Sequence, residues 1–179
     1  MRTTNNQELK KWHVTYTRSR AEKKVHAELA AKGIESFLPL QKKLRQWKDR
    51  KKWVEIPLMS GYCFVHITRK EYDMVLQTNH VVCYLTFEGK AAVIPDSQIA
   101  YLRTMLKQFD FEVDVSHENF EHGKKVEIIE GPMTGLRGEL VEIRGKHRFV
   151  LRINQIDTIF TIEVPASYIT ALPENTQLH

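Results

Sequence analysis

Apolar and polar positions alternate in the N-terminal part of the chain in a way that predicts strands separated by short helices. From Trp12 to Thr17, WHVTYT alternates and is rich in aromatic and β-branched residues, which predicts a strand. Ser19 then opens an S-x-x-E pattern with Glu22, a capping box of the kind that satisfies free backbone donors at a helix start. Val25 and Leu29 sit one turn apart and Gly33 supplies a stop, so a helix is expected between them. Strand character returns at Ile34 to Leu38. VEIPLMSGYCFVHI forms a long β-type run broken around Pro57 and Gly61. A second capping box at Thr68 and Glu71 precedes an apolar stripe of Tyr72, Val75 and Leu76. HVVCYLTF (80–87) and AAVI (91–94) predict two further strands. Pro95, Asp96 and Ser97 open a third helix with Ile99, Leu102, Leu106 and Phe109 on one face.

This order predicts an α+β domain over residues 12–109, in which helices cover one face of an antiparallel sheet and leave the other face partly open. Residues 1–11 carry no apolar pattern and are expected to form a flexible leader. DFEVDVSHENF is acidic and irregular, and residues 110–119 are expected to be a linker. From Phe120 the helix signals vanish. KVEII, ELVEI, RFVLRI and TIFTIEV are short β runs punctuated by glycine, which predicts a small all-β barrel over residues 120–173 with a disordered tail at 174–179.

The hydrophobic content is 42% over 179 residues, enough for one medium domain or two small ones. The net charge of +5 permits a polyanionic partner without requiring one. The charge is concentrated: Lys42, Lys43, Arg45, Lys48, Arg50, Lys51 and Lys52 are relieved only by Asp49, in a segment expected to be a protruding hairpin or a mobile loop. Cys63 and Cys83 both lie in apolar runs and lack C-x-x-C spacing, so buried reduced thiols are expected, as in a cytoplasmic protein. No stretch reaches the roughly 20 apolar residues of a membrane helix, and no membrane partner is expected.

Catalytic patterns fail on spacing. HENFEH (117–122) sets its histidines five apart, where a helical zinc motif needs four. GPMTGLRG (131–138) lacks the ending of a phosphate loop, and its glycines suit turns. Neither an enzyme nor a cofactor or metal is expected. The sharper signal is SGYCFVHI (60–67), which nearly fits an RNA-recognition strand. Alternation puts Tyr62 and Phe64 on one face, with Cys63 and Val65 on the other. Trp12, Val14 and Tyr16 are expected to share the face of Tyr62 and Phe64. Such aromatics belong either to a core or to a binding surface. Arg18, Arg20, Lys23 and Lys24 gather at the start of the first helix, where the dipole already favours anions and cations are a mild local cost, so a functional reason is expected for them.

Together these residues resemble the NusG family. Trp12-His13-Val14, Thr17-Arg18-Ser19 with Glu22-Lys23-Lys24-Val25, and Ser60-Gly61-Tyr62-Cys63-Phe64-Val65 are similar to its N-terminal NGN domain. Phe120-Glu121-His122-Gly123, Val126-Glu127-Ile128, Gly131-Pro132-Met133 and Gly135-x-x-Gly138 resemble its SH3-like KOW barrel. The resemblance implies a monomeric, bacterial, cytoplasmic transcription elongation factor whose open face receives the clamp helices of the largest subunit of RNA polymerase. It assigns that contact to Met59, Tyr62 and Phe64, with Val14, Tyr84 and Phe87 as neighbours. Arg18, Arg20, Lys23 and Lys24 would meet non-template DNA or nascent RNA, and the barrel would meet a ribosomal protein or Rho. Met59, Ser60 and Phe37-Leu38-Pro39 depart from the housekeeping pattern and look more like operon-specific antiterminators such as the RfaH and UpxY proteins. An RNA-binding or ribosome-associated protein is the reading from another class.

Overall fold

A computed structural model describes residues 9–47, 49–107, 112–117, 122–143 and 145–178. The leader at 1–8, Lys48, Phe109, residues 110, 111, 118 and 119 of the expected linker, Phe120, Glu121 and His179 lie outside the described residues. In chain order the elements begin with β1 (Lys11–Thr17), α1 (Glu22–Ala31), β2 (Glu35–Phe37), β3 (Leu40–Gln46), β4 (Lys51–Pro57) and β5 (Tyr62–Ile67). Next come α2 (Tyr72–Leu76), β6 (Val81–Tyr84), β7 (Thr86–Phe87), β8 (Lys90–Ala91) and α3 (Asp96–Lys107). The last six are β9 (Val113–Ser116), β10 (Lys124–Ile128), β11 (Arg137–Ile143), β12 (Lys146–Ile153), β13 (Thr158–Glu163) and β14 (Ile169–Ala171).

The chain divides into two compact units, one of Met1–Leu38 with Ser60–Ile94 and one of Pro39–Met59 with Pro95–His179. The first is mixed α+β. Its antiparallel sheet has the order β2-β5-β1-β6. Val25 and Leu29 of α1 and Val75 of α2 pack with Cys63, Val65 and Ile67 of β5 on one sheet face, and Ile34 and Tyr84 complete the cluster. α1 ends where the Ile34 N–H reaches the Leu29 carbonyl at 2.9 Å, around Gly33. The capping box at Thr68 and Glu71 is present: the Glu71 carboxylate accepts the Thr68 backbone N–H at 2.8 Å. That hydrogen bond first of all, against the opposing effect of burial, holds the Glu71 carboxyl below its ordinary value.

The capping box expected at Ser19 and Glu22 is absent. α1 is capped at Ala21 without a side-chain bond, because Glu22 turns inward to another partner described below. Cys83 likewise departs from expectation: it is exposed on β6, while Cys63 is buried.

In the second unit, the basic segment forms the hairpin β3–β4, with Leu40 to Gln46 paired in register against Pro57 to Lys51. The larger sheet is antiparallel in the order β14-β10-β11-β12-β13-β9. Val126, Ile128, Met133, Phe149, Ile153, Phe160 and Ile162 of this unit are buried, and Val150 and Ile159 are buried too, so β12 and β13 are covered on both faces and not on the one that alternation implies. Two expectations fail. Val113–Ser116, in the segment expected to be an irregular linker, is the edge strand β9 paired to β13. Asp114 there contacts Arg148, so its charges mark a paired edge and not a tether. The beginning of the expected tail is also held, since the Glu174 carbonyl accepts from the Lys125 ammonium. On α3 the buried residues are Gln98, Ile99, Leu102 and Met105, with Leu106 only half-buried. The helix is turned so that the Gln98 amide reaches the Arg152 carbonyl on β12 at 3.3 Å.

A buried carboxylate organises this unit. Glu139 is only 5% exposed. It accepts the Gly123 N–H at 3.0 Å, the Arg152 Nε–H at 3.0 Å and a His122 ring contact at 3.2 Å. A side chain at position 123 would put its Cβ 2.1 Å from the Leu140 carbonyl oxygen, so only glycine allows this approach. Burial pushes the Glu139 carboxyl up, but the Arg152, Gly123 and His122 bonds outweigh it, and the net shift is downward from 4.5. A carboxylate with a depressed folded value adds stability above its unfolded value, and that stability is lost as pH falls through the folded value. Glu139→Gln should therefore be less stable than wild type at neutral pH by urea denaturation. The gap should close as pH is lowered below 4.5 toward the folded value.

Candidate functional site

Register sorts the sheet of the first unit into tiers on the face opposite α1 and α2. Glu35, His66 and Trp12 form one tier, Phe37, Phe64 and Val14 the next, and Tyr62, Tyr16 and Cys83 the last. The rings follow the tiers. Trp12 stacks on His66 at 4.7 Å, Phe37 meets Phe64 at 5.9 Å, and Tyr16 meets Tyr62 edge-on at 5.7 Å. His66 is also bonded to Glu35 at 2.7 Å. The face predicted from alternation is therefore present, and Trp12, Val14, Tyr16, Tyr62 and Phe64 share it.

Exposure divides it. Tyr16 is 44% exposed, Tyr62 is half-buried and Cys83 is exposed, whereas Val14 and Phe64 are fully buried and Trp12 is 4% exposed. The expectation of an open face thus holds only at the tyrosine tier. Phe64 lies on the second strand of the sheet order, with Val14 and Phe37 as its cross-strand neighbours, so its sides are shielded by the sheet itself. Met59 is also buried and falls in the second unit.

Tyr84 lies on the opposite face. Its register partner is Thr15, it belongs to the cluster under the helices, and it stacks on Tyr72 at 4.0 Å. Its hydroxyl donates to the Tyr72 carbonyl at 3.0 Å, and burial first of all pushes that hydroxyl above its ordinary range. The pairing of β1 with β6 breaks past Cys83, between Tyr16 and Thr17, a bulge that sequence alternation does not reveal. Phe87 is 44% exposed on the two-stranded ribbon β7–β8, outside the tiers. Of the residues expected to form one apolar contact, Val14, Tyr62 and Phe64 are brought together, while Met59, Tyr84 and Phe87 are not in their tiers.

The tyrosine tier is fixed by Gly61. Its N–H donates to the Glu22 carboxyl at 2.7 Å, and its carbonyl accepts from the Thr17 N–H at 2.7 Å. Its φ is +82°, and a Cβ would lie 3.0 Å from the Tyr16 ring, so the position requires glycine. Helix α1, the end of β1 and the start of β5 therefore meet at one residue. Arg18, Arg20, Lys23 and Lys24 are all exposed around this junction, and the Arg18 N–H donates to the His80 carbonyl at 2.9 Å. Sequence reading missed the role of Glu22 and the tier position of Cys83. Cys83 is placed by the β1–β6 register, which sets it opposite Tyr16 and which no local pattern supplies. Burial first, and then the Glu22 charge, push the Cys63 thiol up to about 12, so it stays protonated and inert.

Among the described residues no group of three or more His, Cys, Asp or Glu side chains could hold a metal. An aromatic tier framed by cations is the chemistry of a binding module. The family described as "Transcription termination factor nusG" matches residues 10–103. The chain belongs to the NusG family, a family of non-catalytic transcription factors. In fold it is similar to the Thermotoga maritima NusG of a solved structure of domain interaction, at 21% identity over 92% of this chain and 98% of that one, with a TM-score of 0.53. A solved MjSpt4:Spt5 complex aligns at 17% identity over 90% of this chain and 97% of that one, with a TM-score of only 0.31. Comparison with curated proteins finds no match.

The Gly61 junction can be tested directly. Glu22→Ala leaves a buried N–H without its acceptor and should lower the unfolding free energy by about 2 kcal/mol in urea denaturation. Glu22→Gln, whose amide oxygen can accept the same bond, should lose less than half as much.

Proposed function

We propose that the chain is a transcription elongation factor that grips the clamp helices of the largest subunit of RNA polymerase and suppresses pausing or termination. Its family membership over residues 10–103 is the observation that carries this reading. The tyrosine tier supplies the contact: Tyr62 and Tyr16 act as anchors, with Val14 and Phe64 as the floor that holds them. Aromatic anchors with a packed base are what a desolvated protein interface needs. The factor works by differential binding, stabilising the moving state of polymerase relative to the paused one. Arg18, Arg20, Lys23 and Lys24 beside the tier would meet non-template DNA or nascent RNA by phosphate contacts.

Met59, Ser60 and Phe37-Leu38-Pro39 favour an operon-specific antiterminator over a housekeeping factor. The six-stranded sheet of the second unit is read as a KOW barrel that docks a ribosomal protein or Rho. Acting on polymerase places the protein, as a monomer, in the bacterial cytoplasm.

The choice of test residues follows from burial. Truncating a buried phenylalanine costs about 3–5 kcal/mol, a large part of a typical total of about 5–15 kcal/mol. Phe64→Ala would therefore mix a loss of stability with any loss of binding. The informative variant is Tyr16→Ala/Tyr62→Ala. In a pull-down with purified core RNA polymerase, wild type should bind and this variant should lose about tenfold or more in affinity. A wild type that fails to bind polymerase would overturn the reading and favour RNA as the ligand of the tyrosine tier.

A further inference from the structure

The β3–β4 hairpin carries apolar surface that a merely solvated hairpin has no use for. Trp53 is 65% exposed, Trp47 56% and Leu44 48%. Tryptophan is rarely left so bare in a folded chain. Leu44 and Trp53 are direct cross-strand partners, and the next pair on the same face is Gln46 with Lys51. Arg45 and Lys52 pair on the other face. The base of the hairpin is anchored: the Gln41 amide donates to the Val113 carbonyl at 3.2 Å, and the Lys43 ammonium pairs with Glu112 at 2.7 Å. Farther out, Arg45, Arg50, Lys51 and Lys52 make no ion pair among the described residues, and Asp49 is the sole acid between Leu44 and Trp53. The distal hairpin thus presents flat aromatic faces within a field of uncompensated cations.

We propose that this hairpin binds single-stranded nucleic acid, with Trp53 and Trp47 stacking on bases while Arg45, Arg50, Lys51 and Lys52 neutralise phosphates. Stacking on an exposed ring is open to any unpaired base, and cations spaced along two strands follow a backbone. A duplex hides its base faces and would engage only the charges. Leu44 widens the apolar floor beside Trp53. The hairpin belongs to the second unit and the tyrosine tier to the first, and binding at the hairpin does not depend on the grip on polymerase.

The full-length protein reports on this through its own fluorescence. Trp12 is buried, so quenching by an added oligonucleotide reads Trp47 and Trp53. Mixed-sequence single strands of RNA and DNA, about a dozen nucleotides long to exceed a minimal stacking site, should quench it, and a preference between them identifies the source of the strand. Trp53→Ala, at an exposed site, should weaken binding about tenfold, and Trp53→Phe should recover most of the loss. Lys51→Ala/Lys52→Ala should flatten the salt dependence, with a slope smaller by roughly one to two. The proposal is overturned if single strands do not quench, if Trp53→Ala binds as wild type does, or if a duplex of equal length binds more tightly. An acidic protein bound through the same hairpin, with no response to single strands, would overturn it equally.

Discussion

The first unit depends on one hydrogen bond, from the Gly61 N–H to the buried carboxyl of Glu22. A buried backbone donor left without an acceptor costs about 1–3 kcal/mol, and this donor lies where a helix and two strands converge. The carboxyl satisfies it, which fixes the start of α1 against the start of β5. Glycine is required there by both backbone angle and the nearby Tyr16 ring. With that corner set, Tyr16 and Tyr62 come edge to edge, and the cations at the start of α1 are left in solvent beside them.

The second unit repeats the device with a different balance. Glu139 also accepts a glycine N–H, from Gly123, but it has Arg152 and His122 as further partners. Removing one member of such a buried cluster leaves the others uncompensated, so the cluster acts as a unit. In both units a carboxylate reaches a glycine distant in sequence, required at position 123 by close backbone approach and at position 61 by a positive φ beside the Tyr16 ring. Local propensity builds the strands, and these two contacts fix where they sit.

That division explains what was legible in the sequence. β1, α1, the basic hairpin and the Thr68–Glu71 cap were readable because their signals are local. Alternation correctly assigned Tyr62 and Phe64 to one face and Cys63 and Val65 to the other. It could not give exposure, because Phe64 and Tyr62 have the same local pattern although the first is fully buried and the second half-buried. Glu22 was misread as a cap because its true partner is 39 positions away. Tyr84 faces the helices because it pairs with Thr15 across β1, and β9 was hidden in a short acidic run whose pairing with β13 no local rule anticipates. Gln98 was not singled out on α3, because its burial depends on a bond to β12 that the helix pattern does not show.

The two cysteines acquire an unplanned use from this arrangement. Cys63 is sealed in the core with its proton held tightly, while Cys83 stands in the open directly across from Tyr16. The native chain therefore offers a single addressable sulfur for a maleimide dye or a spin label, at the rim of its aromatic tier. A reporter attached there would follow encounters at that surface in real time, with no cysteine engineered in or removed.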